Sequence, residues 1–399
     1  MKLLNTDIKN KVLNSMISII DGDREKILKA NSKDCELFDK KDRAMYDRLV
    51  VNDKKIDGMI NSVREIMEQE DPVGKTKSER NLENGLTIKN KTAPFGTIMI
   101  IYESRPDVTI EAAVLAFKAN NKILLKGGKE AYHSNKALEA CWHKALQENG
   151  LDTSWIQLLH MNRTETQEFL KNPPEKLDLI VPRGGEKLIA FVKEHAKCAV
   201  LVSGRGNNFL YVAKDADWEK SIKVILNAKT HKISACNALD KILIDSAVPD
   251  YEEKLKELDS ILTEKGVSIL VDEQTGSILS DESVIKDESI WHEEFLAMKC
   301  CIGTVQGLDE AIEKINKFSG GHSSTVMTND PDKAIKFMEQ VDSAAVYHNA
   351  STRFTDGGAM GVGAELAIST DKLHHRGPLG LEQLVTNKYY VFGDGQIRN

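Results

Sequence analysis

Cys236 stands in a short polar run, Asn227-Ala-Lys-Thr-His-Lys-Ile-Ser-Ala-Cys236-Asn237, just beyond an amphipathic helical stretch. The thiolate is the working form of a nucleophilic cysteine, and a thiol of pKa ~8.5 is only a few per cent ionised near neutrality. Lys229, His231 and Lys232 lie close in sequence among hydroxyls and small residues. Lowering the pKa to ~7 in such a loop requires about 2 kcal/mol of preferential stabilisation of the anion. The other five cysteines (Cys35, Cys141, Cys198, Cys300 and Cys301) read as small buried hydrophobes. They show neither C-x-x-C spacing nor a disulfide framework, so reduced thiols without a metal are expected.

Anion-binding patterns accompany the thiol. Leu177-Asp-Leu-Ile-Val-Pro-Arg183-Gly184-Gly185 reads as a strand ending in a glycine turn that opens a helix. Backbone N–H groups at such a turn favour a phosphate, and Arg183 adds a fixed positive charge. Lys126-Gly-Gly-Lys129 follows the same logic at another strand end. Asn349-Ala-Ser-Thr-Arg353-Phe-Thr-Asp-Gly-Gly358 gathers hydrogen-bond donors around one guanidinium, the preferred bidentate partner of phosphate or carboxylate. Gly204-Arg-Gly-Asn-Asn208 lacks the third glycine of a dinucleotide fingerprint and precedes an apolar run, so it reads as a loop at a domain junction. Adjacent His374 and His375 do not converge on one ion in regular backbone, and no metal site is expected there.

These segments need a scaffold, and 399 residues suffice for two or three domains. Residues 6–70 are helical and highly charged, with Ile8, Val12, Met16 and Ile19 forming one apolar stripe. A hairpin is expected around Asn84-Gly85. Short apolar runs then alternate with helices as far as Val202, the pattern of a parallel sheet covered on both faces in a doubly wound nucleotide-binding domain. The alternation restarts near residue 233 as a second α/β domain. Lys388 to Phe392 is a β-type run whose edge must be covered or paired. No apolar run approaches the ~20 residues of a membrane span, and charges interrupt any signal core at the N-terminus, so a cytoplasmic protein is expected. The formal charge of −7 argues against a nucleic-acid partner.

Several motifs together resemble one family. They are Tyr102-Glu-Ser104-Arg105-Pro-Asp-Val-Thr109, the Val181–Gly185 turn, Asn227–Thr230 with Cys236-Asn237, Asn349–Gly357, Ser369-Thr370, Lys372–His374 and Arg376–Pro378. Over nearly its whole length the chain resembles the γ-glutamyl phosphate reductases, proline-biosynthesis members of the aldehyde dehydrogenase superfamily, in their stand-alone form. The resemblance implies an aldehyde-dehydrogenase-like α/β fold. A Rossmann-type NADP-binding domain would occupy residues 1–232, with the 80–94 hairpin as an oligomerisation element. A catalytic domain would span 233–365, and residues 366–399 would return to the cofactor domain and end in an oligomerisation strand.

The implied reaction is NADPH-dependent reduction of L-glutamyl 5-phosphate to glutamate 5-semialdehyde with release of phosphate. Cys236 matches the family nucleophile, which forms a thioacyl intermediate. Its backbone N–H and the Ser104-Arg105 loop are the implied oxyanion donors. Arg105, Asn349 and Arg353 are the implied contacts to substrate anions. Lys126 matches the superfamily lysine at the adenosine ribose and would favour a 2′-phosphate. Gly184 and Gly185 match the pyrophosphate turn, and Glu294 resembles the glutamate that holds the nicotinamide ribose. The implied partners are a second copy of the chain and a glutamate 5-kinase.

The chain departs from the family pattern before Cys236, where it reads Ile233-Ser-Ala, at Ser203–Phe209, and at Met360. Two other readings share most of these residues: a CoA-acylating aldehyde dehydrogenase, and a catalytically impaired homologue acting in binding or assembly.

Overall fold

The computed structural model describes residues 2–39, 42–279 and 283–398. Its described N-terminal residues form the helices Thr6–Gly22, Arg24–Leu37, Arg43–Leu49 and Asp53–Glu68. Asn5 and Asn52 start the first and last of these by accepting from the Ile8 and Lys55 N–H groups. The apolar stripe faces inward, with Val12, Met16 and Ile19 all buried.

The strands, in chain order, are β1 Thr76–Asn81, β2 Thr87–Pro94, β3 Thr97–Tyr102, β4 Lys122–Lys126, β5 Ile156–Leu158, β6 Leu179–Arg183, β7 Ala199–Val200, β8 Asn208–Val212, β9 Leu239–Asp245, β10 Ser268–Val271, β11 Lys299–Val305, β12 Ser323–Met327, β13 Ala345–His348, β14 Ile368–Ser369, β15 Gly377–Pro378 and β16 Val385–Phe392. They fall into two compact units. The first comprises residues up to Val202, Gly361–Ala367 and the segment from Leu379 onward; the second comprises Ser203–Met360 and Ile368–Pro378.

The first unit holds a parallel sheet in the order β5-β4-β3-β6-β7. Its direction of growth reverses at β3, because β4 and β5 add on one side and β6 and β7 on the other. Ligands of doubly wound sheets bind at the carboxyl ends of the strands at such a reversal. Ile98, Ile100, Val181 and the helix Pro106–Lys118 build the main core of this unit together with the N-terminal helices. The expected hairpin is present as β1 and β2, and β16 pairs antiparallel with β2, Val385 opposite Pro94 and Phe392 opposite Thr87.

The second unit holds a six-stranded parallel sheet, β10-β11-β9-β8-β12-β13. The units divide at residues 202/203, earlier than the expected 232/233. The reason is β8, whose apolar Phe209–Val212 run pairs with β9 and β12 and carries the helix Trp218–Thr230 with it. The 366–399 return is also interrupted, since Ile368–Pro378 stays with the second unit as the β14–β15 pair. No helix among the described residues is long and apolar enough to cross a membrane.

Candidate active site

Cys236 occupies the loop between the helix Trp218–Thr230 and β9, at the amino ends of β8, β9 and β12. It is partly accessible, as are Cys35 and Cys198 against the expectation that they be buried, whereas Cys141, Cys300 and Cys301 are buried. Burial pushes the Cys141 and Cys300 thiols up to about 12 and the Cys301 thiol to about 11, which leaves them inert as nucleophiles.

Main-chain anchors fix the loop. Asn208 Nδ2 donates to Cys236 O at 2.8 Å and to Ala238 O at 2.6 Å. Thr352 Oγ1 donates to Asn237 O at 2.7 Å, and Asn237 Nδ2 donates to Thr355 O at 3.0 Å and Arg353 O at 3.3 Å. The same contacts bring Arg353 to the thiol. Burial lowers the Arg353 pKa, while the nearby Cys236 and Asp356 act in the opposite sense. Nε of Arg353 reaches His231 Nδ1 at 3.4 Å, and its Nη1 is buried without a hydrogen-bond partner. A guanidinium holding a spare donor beside a cysteine is equipped to receive an anionic oxygen.

Asn349 is not brought to Cys236. It ends β13 at the carboxyl side of the sheet, in a left-handed conformation with φ 53°. Its Nδ2 donates to Thr328 O at 2.8 Å and contacts His348 Nε2 at 3.0 Å, while its Oδ1 accepts from Thr328 N at 3.0 Å. The amide therefore closes a turn, and the chain recrosses the sheet before reaching Arg353.

Glu294 lies in an irregular segment between the turn Glu288–His292 and β11. Both of its neighbours are tied to the strand that follows Cys236. Phe295 N donates to Asp240 Oδ2 at 3.0 Å, and Lys241 Nζ donates to Glu293 O at 2.8 Å while lying 3.9 Å from the Phe295 ring centroid. The segment thus approaches the same end of the sheet as the thiol. Asp240 carried no sequence signal and Asn208 stood only as the end of an expected loop, because Cys236 and Phe295, which they hold, are remote along the chain.

In the first unit, Lys126 ends β4 with its amine 3.2 Å from Gly127 O. Burial lowers its pKa, opposed by Glu130. Gly185 opens the helix Glu186–His195; a Cβ built there meets nothing within 4 Å, and its N–H donates to Glu103 Oε1 at 3.4 Å, so a carboxylate already faces this N-terminus. Gly184 is close-packed: a Cβ there would sit 2.8 Å from Glu103 Oε1 and from Leu188 Cδ2. The Arg183 guanidinium is buried among charged groups, and its Nη1 has no hydrogen-bond partner. Burial lowers its pKa first and Arg105 next, with Glu111, Asp107 and Glu365 opposing. Arg105 Nη2 pairs with Asp107 Oδ2 at 2.8 Å. Ser104 is buried and its hydroxyl donates to Glu130 Oε1 at 2.6 Å, so it is engaged within its own unit. Ser104, Arg105, Lys126, Arg183, Gly184 and Gly185 belong to the first unit; Cys236, Glu294, Asn349 and Arg353 belong to the second. Among the described residues, no three His, Cys, Asp or Glu side chains are grouped to hold a metal ion.

A parallel nucleotide-type sheet followed by an α/β unit bearing a looped cysteine matches the aldehyde dehydrogenase family, whose model covers residues 9–282 and 275–364. A γ-glutamyl phosphate reductase of Dictyoglomus thermophilum is 40% identical over 400 residues, covering 100% of this chain and 96% of that one. The crystal structure of γ-glutamyl phosphate reductase from Thermotoga maritima superposes with a TM-score of 0.93 at 40% identity, covering 99% of this chain and 95% of that one. An acetylating aldehyde dehydrogenase from Geobacillus thermoglucosidasius has a TM-score of 0.67 at 16% identity, covering 99% and 94%, a likeness of fold alone. The chain belongs to the aldehyde dehydrogenase family and, within it, to the γ-glutamyl phosphate reductases.

Proposed function

We propose that this chain reduces L-glutamyl 5-phosphate to L-glutamate 5-semialdehyde with NADPH, releasing phosphate, as the second step of proline biosynthesis. The observation that carries the reading is the pairing of an accessible Cys236 with an Arg353 whose buried Nη1 lacks a partner, in a chain 40% identical to reductases of that name. An acyl phosphate needs both features, a sulfur nucleophile for its carbonyl carbon and a fixed cation for its phosphate or carboxylate.

Cys236 Sγ, as thiolate, attacks the γ-carbonyl carbon, and the bond to the phosphate oxygen breaks with its electron pair leaving on phosphate. The acyl group is then a thioester on Cys236. The dinucleotide, when bound, supplies the hydride that reduces this thioester. Collapse of the resulting hemithioacetal frees the aldehyde and regenerates the cysteine. No water-activating base is required, because phosphate, not water, is the acyl partner.

The helix N-terminus at Gly185 would take a pyrophosphate in place of the Glu103 carboxylate, and half-buried Lys126 fits a ribose or its 2′-phosphate. Glu294 would hold the nicotinamide ribose. Arg353 would hold the substrate. A homo-oligomer belongs to the same proposal. It is supported by the three-stranded sheet, where β16 forms an edge with Tyr389, Val391 and Phe392 exposed. A cytoplasmic site and association with a glutamate 5-kinase complete it.

The test is the reverse reaction, with glutamate 5-semialdehyde as substrate and NADP⁺ or NAD⁺ as acceptor. Reduced cofactor should form only when inorganic phosphate is present, and faster with NADP⁺. Formation that requires coenzyme A instead would transfer the chain to the acylating enzymes.

A further inference from the structure

Asn208 is fully buried at the start of β8, and every polar atom of its side chain is used. Nδ2 is shared among the carbonyl oxygens of Gly206 at 2.9 Å, Cys236 at 2.8 Å and Ala238 at 2.6 Å. Oδ1 accepts from Ser323 N at 3.0 Å. Ser323 Oγ contacts Thr355 Oγ1 at 2.7 Å and His322 Nδ1 at 2.7 Å, and Thr355 O in turn holds Asn237. The Cys236-Asn237 pair is thereby gripped from both flanks through one hub. The 203–207 loop presses on the same spot: a Cβ on Gly206 would collide with the carbonyl group and Cα of Cys236.

Three carbonyl dipoles converge on the Asn208 amide with their negative ends inward, one of them belonging to the nucleophile itself. Without the amide, the partial charge on the nucleophile's own carbonyl would stand unneutralised and disfavour the anion. The anchored peptide also restrains Cys236 ψ, and with it the direction of its Cα–Cβ bond.

We propose that Asn208 is a positioning residue for the nucleophile, holding the Cys236 main chain and cancelling the carbonyl field that would otherwise suppress its thiolate. The inference rests on Cys236 being the nucleophile. It assigns the departing 203–209 segment a role in tuning that residue.

The test uses the full-length chain as Asn208→Ala and, as a milder change that keeps one hydroxyl donor, Asn208→Ser. Iodoacetamide labelling of each cysteine is followed against pH by peptide mass spectrometry, beside kcat, KM and thermal unfolding. In Asn208→Ala, Cys236 labelling at pH 7 should fall about fivefold while its alkaline plateau stays unchanged, with kcat down about tenfold or more and KM within about twofold. Asn208→Ser should fall between. The proposal is overturned if the Cys236 labelling profile matches wild type in Asn208→Ser and Asn208→Ala. It is equally overturned if buried Cys300 and Cys301 become reactive in step with the lost turnover, the mark of general loosening. Cys236→Ser, run alongside, keeps the two ideas apart. Turnover surviving it removes the nucleophile assignment, whereas the Asn208 labelling profile still reads the clamp.

Discussion

Lys229 and Asp240 form an ion pair closed off from solvent, Nζ to Oδ1 3.0 Å, between residues eleven apart that bracket the Cys236 loop. The pair ties the end of the preceding helix to β9, and the second oxygen of Asp240 receives the Phe295 amide beside Glu294. Removing one member leaves the other as a buried uncompensated charge. Asp240→Asn should therefore cost about 3–5 kcal/mol of stability, read by urea unfolding. An added Lys229→Met should restore much of that loss; a double variant as unstable as the sum of the singles would show the two side chains to be uncoupled.

Cys236→Ala should abolish reduction by about three orders of magnitude or more while leaving NADPH binding within about twofold. Stopped-flow turnover and fluorescence titration of the cofactor check the two halves. Retained turnover would remove the thioacyl route.

Arg353→Ala should raise KM for the acyl phosphate about 10- to 100-fold, the range expected for loss of a charge-assisted hydrogen bond. Arg353→Lys should recover only part of this, because one ammonium does not reproduce a guanidinium fork. Initial-rate kinetics with unchanged KM would place the substrate anion elsewhere.

Lys126→Ala should weaken NADPH about tenfold more than NADH, since only the former carries a 2′-phosphate. Equal losses in paired titrations would exclude that contact.

His322 titrates in an instructive direction. Burial pulls its pKa from 6.5 down to about 4, so the folded imidazole stays neutral where the unfolded one takes a proton. The unfolded state then binds more protons between pH 6.5 and about 4, and stability falls across that window by about 3 kcal/mol as pH drops. Urea midpoints measured from pH 7 to 4 should fall less steeply in His322→Asn than in wild type. Parallel curves would mean that other groups drive the acid loss.

Much of the architecture was visible in the chain, because a buried parallel strand announces itself by a continuous apolar run. Ile98–Ile101 and Ile123–Leu125 are strands, and the hairpin turn follows from Asn84-Gly85. The domain boundary was not visible, since which sheet accepts Phe209–Val212 depends on hydrogen-bond partners in β9 and β12. At the site, Cys236 and Arg353 lay in distinctive motifs and are brought together. Asn349 shares its motif with Arg353, yet a left-handed residue at the end of β13 diverts its amide to Thr328. Arg183 lies in the field of Arg105, Glu111 and Asp107, with its Nη1 buried and without a hydrogen-bond partner. Asn208, Asp240 and Ser323 escape any reading of spacing, because each acts on a residue tens of positions away in the chain.

The pairing of β16 with β2 has a bearing on biosynthesis. As the ribosome extrudes the chain, the β2 edge emerges early and stays without its neighbour until Val385–Phe392 has been made. Asn121 likewise waits for the Leu384 carbonyl. Closing so long a loop is slow, and an unfilled strand edge invites pairing with other nascent chains. Ribosome stalling or nonsense truncation shortly before Val385 should therefore yield aggregates instead of a shorter soluble fragment.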